Sequence, residues 1–179
     1  MKKILLVIVA TFLLVGCMDN KASDAVENYL NQYRNLNDSV IADLNELTDE
    51  QLLSDEQKDT YKKIMRKQYQ DLTYEIVDEE YDGDKATITA EITVYDLYKV
   101  QHDADNYMNN NMEEFYDDND VYDNSLFLDY KLGKMQDNTE TVSYTLTFDV
   151  VKEDNEWIVV QPSEETLEKI HGIYNYELE

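Results

Sequence analysis

The sequence predicts an α+β fold, a curved antiparallel sheet of two hairpins with N-terminal and inserted helices packed on one face. Three observations support this prediction. Apolar residues follow helical spacing near the N-terminus, they alternate with a period of two in two later segments, and helical spacing returns between those segments. This order of helices, hairpin, helix pair, hairpin and short helix is typical of α+β domains.

Two helices are predicted first, separated by a break at Asn35 to Asp38. The apolar positions that define them are Val26, Leu30, Tyr33, Val40, Leu44 and Leu47. Two capping-box sequences follow, beginning at Thr48 and at Ser54. The second box begins a helix that carries the basic cluster of the mature chain. Its members are Lys58, Lys62, Lys63, Arg66 and Lys67.

The first predicted hairpin turns at Asp82-Gly83, a dipeptide that suits a type I′ turn. In the return strand Ala86, Ile88, Ala90, Ile92 and Val94 face one way, and Thr87, Thr89, Glu91, Thr93 and Tyr95 the other. The second hairpin alternates likewise from Val142 to Val150 and turns at Glu153 to Asn155. Pro162-Ser163 then ends the last strand and caps a short helix. In each hairpin, one face is therefore expected to be core.

The N-terminal segment Leu14-Val15-Gly16-Cys17 resembles a bacterial lipobox. It follows the basic residues Lys2 and Lys3 and an apolar run too short to span a bilayer. By this resemblance residues 1–16 are a lipoprotein signal peptide and residues 17–22 are a lipidated tether. Residues 23–179 then form a single domain. Cys17 is the expected lipidation site, carrying diacylglycerol with acyl chains such as palmitate, on the outer face of the cytoplasmic membrane. The alternative is a secretory signal with an incidental cysteine.

The net charge limits the classes of binding partner, and the cysteine count limits the disulfides that can form. The formal net charge is −25, which disfavours nucleic acid and anionic headgroups, so attachment to the membrane must come from the lipid. The single cysteine allows no disulfide within the chain. The fold must therefore be stabilised by its apolar core.

Three stretches of the chain resemble a family of Gram-positive bacterial lipoproteins with a nuclear-transport-factor-2-like, or cystatin-like, fold. They are Tyr81 to Thr93, Val151 to Val159 and Leu167 to Gly172. The family has no settled activity. The resemblance therefore implies the fold and leaves the chemistry open.

Oxygen ligands concentrate in the middle segment from Asp103 to Asn124, as a calcium site would require. An EF-hand loop starting at Asp118 would need glycine at its sixth position, where Asp123 stands, and glutamate at its twelfth, where Asp129 stands. The match fails, and a solvated helix-turn-helix is the preferred interpretation. No metal or other cofactor is assigned.

The remaining candidate side chains fit no catalytic pattern. His102 and His171 belong to no triad or metal motif, and both are interpreted as surface or helix-end histidines. The fold resemblance admits chemistry of the ketosteroid-isomerase type, an aspartate base with a tyrosine, but no pair is assigned. Most of the 15 tyrosines are interpreted as core or core rim, and Trp157 as a packing anchor before a ligand platform.

The preferred functional hypothesis is a lipid-anchored, non-catalytic domain. It would bind a small ligand or an envelope protein through the concave face of its sheet. An isomerase-type enzyme in the same concavity is one alternative, and an acidic surface that attracts cations or cationic peptides is another.

Overall fold

A computed structural model describes residues 21–49 and 51–177, and within them six α-helices and four strands form an α+β fold. The helices are α1 (Ala22–Arg34), α2 (Asp38–Asp49), α3 (Asp55–Asp71), α4 (Leu97–Asn110), α5 (Asn124–Asp137) and α6 (Glu164–His171). The strands are β1 (Thr73–Asp82), β2 (Lys85–Tyr95), β3 (Thr141–Glu153) and β4 (Glu156–Val159). A 3₁₀ turn at Met112–Phe115 lies between α4 and α5. The predicted α+β class with an antiparallel sheet and the break between the first two helices are confirmed.

The sheet is antiparallel throughout, with strand order β1-β2-β3-β4, and it is not closed into a barrel. The long pairing of β2 with β3 runs from Lys85 opposite Val151 to Tyr95 opposite Thr141. The register of β1 on β2 shifts between Ile76 and Asp78, which leaves Val77 as a bulge.

The turn chemistry differs from the prediction at the first turn. Asp82 pairs with Lys85, so the central residues are Gly83 and Asp84, and only Gly83 has positive φ, at 61°. A type I′ turn needs positive φ at both central positions, so that prediction is wrong. The pattern occurs instead between β3 and β4, where Asp154 and Asn155 have φ of 49° and 70°.

Of the two predicted capping boxes, one forms. Ser54 accepts a hydrogen bond from the Gln57 backbone N–H at 3.2 Å, and the Gln57 side chain accepts one from the Ser54 N–H at 3.0 Å. The prediction of a capping box at Thr48 is wrong. Thr48 lies inside the last turn of α2, and its hydroxyl donates to the Leu44 carbonyl at 2.6 Å. Ser163 caps α6 as predicted.

One apolar core lies between α1 and the sheet. Alternate residues of β2 and β3, among them Ile88, Ile92 and Phe148, pack against Val26 and Leu30 of α1. All five are at most 2% exposed, because strand alternation and the apolar stripe of α1 face each other. The sheet and α1 are called the sheet layer below.

A second core joins α2, α3, α4 and α5, which are called the helical layer below. Its buried members are Val40, Leu44, Ile64, Met65, Tyr69, Leu97, Leu132 and Met135. The inserted helices α4 and α5 pack on each other, and α5 also packs on α3. The prediction that they pack on the sheet face is therefore wrong, because their apolar stripes are buried against other helices.

Gln68 ties the two layers together. Its amide accepts from the Tyr95 N–H at 3.0 Å and donates to the Tyr95 carbonyl at 3.1 Å, as a neighbouring strand would. Gly172 has φ of +70°, and an added Cβ there would lie 2.2 Å from the Gln68 amide nitrogen. Glycine at position 172 thus lets the end of α6 approach this junction.

Candidate functional site

One face of the sheet is left largely uncovered by the helices that the structure describes, with only Lys67 of α3 reaching Tyr95 at its end, and it is called the open face below. Directly paired residues share a face, so the registers place Thr73, Glu75, Asp78, Glu80, Asp82, Lys85, Thr87, Thr89, Glu91, Thr93, Tyr95, Thr141, Ser143, Thr145, Thr147, Asp149, Val151, Glu153, Glu156 and Ile158 on it. Threonines occupy its centre on β2 and β3. Thr93 and Ser143 are bonded to each other at 2.8 Å between hydroxyl oxygens.

The open face is strongly acidic. Its acidic residues are Glu75, Asp78, Glu80, Asp82, Glu91, Asp149, Glu153 and Glu156, and Lys85 is the one basic residue on these described strands that faces the same way. Glu75 and Glu91 stand directly opposite each other. Like charges at such a position are destabilising in a sheet, so the arrangement is not explained by the needs of the fold.

The covered face of the sheet is filled by side chains. Ile88, Ala90 and Ile92 are completely buried there beneath α1. Two hollows lie elsewhere in the described structure. One, of about 490 Å³, lies over residues 35–39, and one of about 170 Å³ lies between α3, α5 and the end of β2.

Asp96 and its neighbouring tyrosines come nearest to the isomerase-type pair. Asp96 is 5% exposed, and its carboxylate accepts from the Lys99 N–H at 3.0 Å and from the Tyr176 hydroxyl at 2.5 Å. Burial and the bond to Asp96 raise the pKa of Tyr176. Asp96 is the N-cap of α4, and its side-chain bonds fix the start of that helix and the C-terminal segment. A structural role accounts for both bonds.

Tyr144 lies beside this group on the sheet core. Burial raises its pKa to about 12, with the Asp96 charge adding to the effect. Its hydroxyl is buried and has no hydrogen-bond partner among the described residues. The ring of Tyr174 stands edge-on to it at 5.8 Å between centroids.

The two histidines differ in their surroundings. His102 is exposed on α4, as predicted. His171 is the last residue of α6, as the helix-end interpretation predicted, but it is half-buried: its ring packs 6.2 Å from the Tyr33 ring and 5.6 Å from the Tyr69 ring, between the two layers. Burial lowers its pKa to about 4, so it is neutral at neutral pH. The sequence alone offered no signal for this contact.

The acidic middle segment uses its carboxylates to bind its own backbone. One Asp117 oxygen accepts from the N–H groups of Asn119 and Val121 at 2.8 and 3.0 Å, and Asp123 caps α5 through Ser125. These backbone bonds lower the pKa of Asp117. Within the described part of the chain, no three His, Cys, Asp or Glu side chains form a group that could hold a metal ion.

Most tyrosines lie in the core or at its rim, as predicted. Tyr69 is buried, and Tyr29 and Tyr33 are half-buried with their hydroxyls 3.2 Å apart. Tyr107, Tyr116 and Tyr122 are exposed. Trp157 is half-buried against the sheet core and contacts the Tyr81 ring at 5.8 Å.

The exposed side of α3 carries Lys63, Arg66 and Lys67, and Lys62 beside them is half-buried. Lys67 is bonded to Asp71 at 2.8 Å and to the Tyr95 hydroxyl. Its partial burial would lower its pKa, but these two bonds outweigh burial and raise it. Lys63 and Lys67 both line the 170 Å³ hollow beside the helix.

The proposed lipidation site, Cys17, the signal peptide and all but two residues of the tether lie outside the described residues. No helix among those described has the length and apolar character needed to cross a bilayer. The chain matches no protein-family model, no curated protein and no solved structure. The resemblance to the lipoprotein family stays a prediction from the sequence motifs.

Proposed function

We propose that this protein is a lipid-anchored, non-catalytic domain on the outer face of the bacterial cytoplasmic membrane, which binds a basic envelope protein through its open face. The anchoring part rests on the lipobox that ends at Cys17. A curved sheet of two hairpins, with the open face as its concave side, is part of the proposal.

The charge of the open face is the observation that carries the proposal. Eight carboxylates and one ammonium group project from the described strands on this side, and the register places Glu75 directly opposite Glu91. Such a surface attracts cationic partners and repels anionic ones, and it raises the rate of productive encounters. The third hypothesis from the sequence, an acidic surface for cationic peptides, therefore becomes part of this proposal.

The shape of the sheet favours a protein over a small ligand. A small-ligand site is usually a hollow, and the covered face of the sheet is filled by side chains. The open face offers a platform instead. Strands of about ten residues at about 3.3 Å each, and three strand spacings of about 4.8 Å, give roughly 500 Å². That area suits a weak or transient interface, which buries less than about 600 Å² per partner.

A titration with a cationic peptide tests the face directly. The full chain, labelled with ¹⁵N, is titrated with a lysine-rich peptide at low salt. We expect shift changes at residues 87–93 and 143–149 that disappear when salt screens the charges. The variant Glu75→Gln/Glu91→Gln/Asp149→Asn should bind about tenfold more weakly, at about 0.5 kcal/mol for each exposed charge pair.

The control variant Glu46→Gln/Glu113→Gln/Asp118→Asn removes the same charge from exposed positions away from the sheet. It should bind as tightly as the unchanged protein. Equal losses in both variants would show that net charge attracts the peptide. Shift changes confined to residues 113–123 would place the binding surface on the acidic middle segment, and the proposal would fail.

A separate variant tests the anchor. Cys17→Ser offers no thiol for diacylglyceryl transfer, so we expect the protein to leave the membrane fraction and to lose metabolic lipid labelling. The unchanged chain, which contains no other cysteine, is the control. Membrane retention and lipid labelling of the serine variant at unchanged levels would contradict lipid attachment at this residue.

A further inference from the structure

The hollow beside α3 differs from the rest of the molecule in charge. It is called the α3 cleft below, and it has a volume of about 170 Å³ between α3, the start of α4 and the end of α5. Four of the chain's fifteen basic residues lie between Lys62 and Lys67 of α3, a stretch with no acidic residue, in a protein of net charge −25. An anion is therefore attracted to this side of the protein and repelled by most of the remainder.

The floor of the α3 cleft is apolar. Ile64, Leu97 and Met135 line it, and each is at most 5% exposed in the folded protein. They come from three different helices, so the cleft is a gap in the packing of the helical layer. An apolar group that entered it would replace water against these three side chains, which is favourable in proportion to the area covered.

Cations stand at the rim of the same cleft. Lys63 and Lys67 lie one turn apart on α3 and both line it. Lys67 is held by Asp71 and Tyr95, whereas Lys63 has no ion-pair partner among the described residues. Lys63 is thus the ammonium group available to a ligand, and Lys67 is fixed in place next to it.

We propose that the α3 cleft binds a small organic anion, a carboxylate or phosphate head with a short apolar body. The head pairs with Lys63 and Lys67, and the body covers Ile64, Leu97 and Met135. The volume is below the roughly 300 Å³ of drug-sized sites, so the body is a few carbons long.

Two sources could supply this chemistry, a dissolved metabolite or a lipid headgroup. The position of the cleft favours the dissolved source if Cys17 carries the anchor. The start of α1 lies against Tyr81, beside the first residues of β2, while the cleft includes Tyr95 at the other end of that strand. Nine residues of strand separate the two ends by about 30 Å.

Methionine-methyl NMR can test this assignment on the full chain held in phosphatidylcholine nanodiscs. Met135 lines the cleft, and Met108 and Met112 are internal controls outside it. Hexanoate and hexyl phosphate should shift the Met135 methyl saturably, acetate should bind more weakly, and hexan-1-ol more weakly than hexanoate. Equal effects of hexanoate and hexan-1-ol, or no Met135 shift with either anion, would overturn the proposal.

Charge-matched variants of one helix separate the site from general attraction. Lys63→Gln should weaken hexanoate binding about tenfold, as expected for loss of a charge-assisted contact. Lys62→Gln removes the same charge from α3 at a residue that does not line the cleft, and it should bind as the unchanged protein does. Equal weakening in both would overturn the site.

A separate experiment with phosphatidylglycerol distinguishes a lipid headgroup from a dissolved anion. If phosphatidylglycerol in the nanodisc shifts Met135 without added solute, and Lys63→Gln abolishes that shift, the anion of the cleft is a headgroup. If phosphatidylglycerol has no effect while hexanoate binds, the source is a dissolved anion. Either result supports the cleft, and both are independent of peptide binding at the open face.

Discussion

The sheet layer and the helical layer are held together by different interactions. In the sheet layer, backbone ladders fix the position of each strand, and apolar side chains from β2, β3 and α1 fill the interior. The helical layer has no such ladders. The buried Gln57 of α3 donates to Asp129 of α5 at 2.8 Å and so connects two of its helices, and the packing of this layer leaves the α3 cleft. The interior of the sheet layer is thus filled by packed side chains, whereas the helical layer leaves a hollow.

The outer surfaces differ as well. The open face presents carboxylates on a regular grid set by the strand register. The exposed side of α3 presents three cations, Lys63, Arg66 and Lys67, with the half-buried Lys62 beside them. A partner attracted by the charge of one surface is repelled by the other, which would keep the two proposed binding roles apart.

The largest effect is expected from matched leucine truncations in the two layers. Leu146 of β3 is 2% exposed and Leu132 of α5 is 6% exposed. Leu→Ala in a core costs about 2–5 kcal/mol, and more where the surroundings cannot collapse. We expect Leu146→Ala near the upper end and Leu132→Ala near the lower end, because ladders hold the sheet rigid.

Urea unfolding of the two variants measures this difference as the change in free energy of unfolding. Equal losses, or a greater loss for Leu132→Ala, would show that the helical layer is as rigidly packed as the sheet layer. The contrast between the layers would then fail.

A smaller effect is expected from pH at the junction of the layers. The pKa of His171 is lowered from 6.5 to about 4, so the folded protein binds this proton less readily than the unfolded chain. Burial of the neutral His171 ring contributes fully to the free energy of unfolding above pH 6.5. This contribution is lost as pH falls toward 4. At about 1.4 kcal/mol per unit, the loss is about 3 kcal/mol.

Carboxylates titrate in the same range, so a variant must isolate the histidine. His171→Phe keeps an aromatic ring without a proton site. We expect the unchanged protein to lose stability relative to this variant between pH 6.5 and 4, measured by urea unfolding at each pH. Parallel curves for the two proteins would mean that His171 is exposed to solvent in solution.

Much of this architecture is local enough to be predicted from the sequence. The alternation in β2 and β3 identified the core face, and the Ser54 box identified the start of α3, because strand alternation and helix caps depend on neighbours in the chain. The acidic open face could also be inferred in part. Glu91 and Asp149 were already predicted to point away from the core.

Long-range packing could not be read in the same way. The sequence did not reveal that α5 packs on α3, that Gln68 pairs with the Tyr95 backbone, or that His171 lies between two tyrosines. Each depends on residues far apart in the chain. The α3 cleft is a further case, since Lys63 and Lys67 were recognised as basic but the apolar floor beside them comes from α4 and α5.

The most direct test of the central claim is site-specific photo-crosslinking in intact membranes. A photoreactive amino acid replaces Thr145, at the centre of the open face opposite Glu91, in the full chain. The matched control places it at Asn28, an exposed residue of α1 on the covered side of the sheet. We predict a discrete adduct with a basic envelope protein from position 145, lost in the Glu75→Gln/Glu91→Gln/Asp149→Asn background and absent from position 28. Adducts of equal yield from both positions, or an adduct from position 28 alone, would contradict binding through the open face.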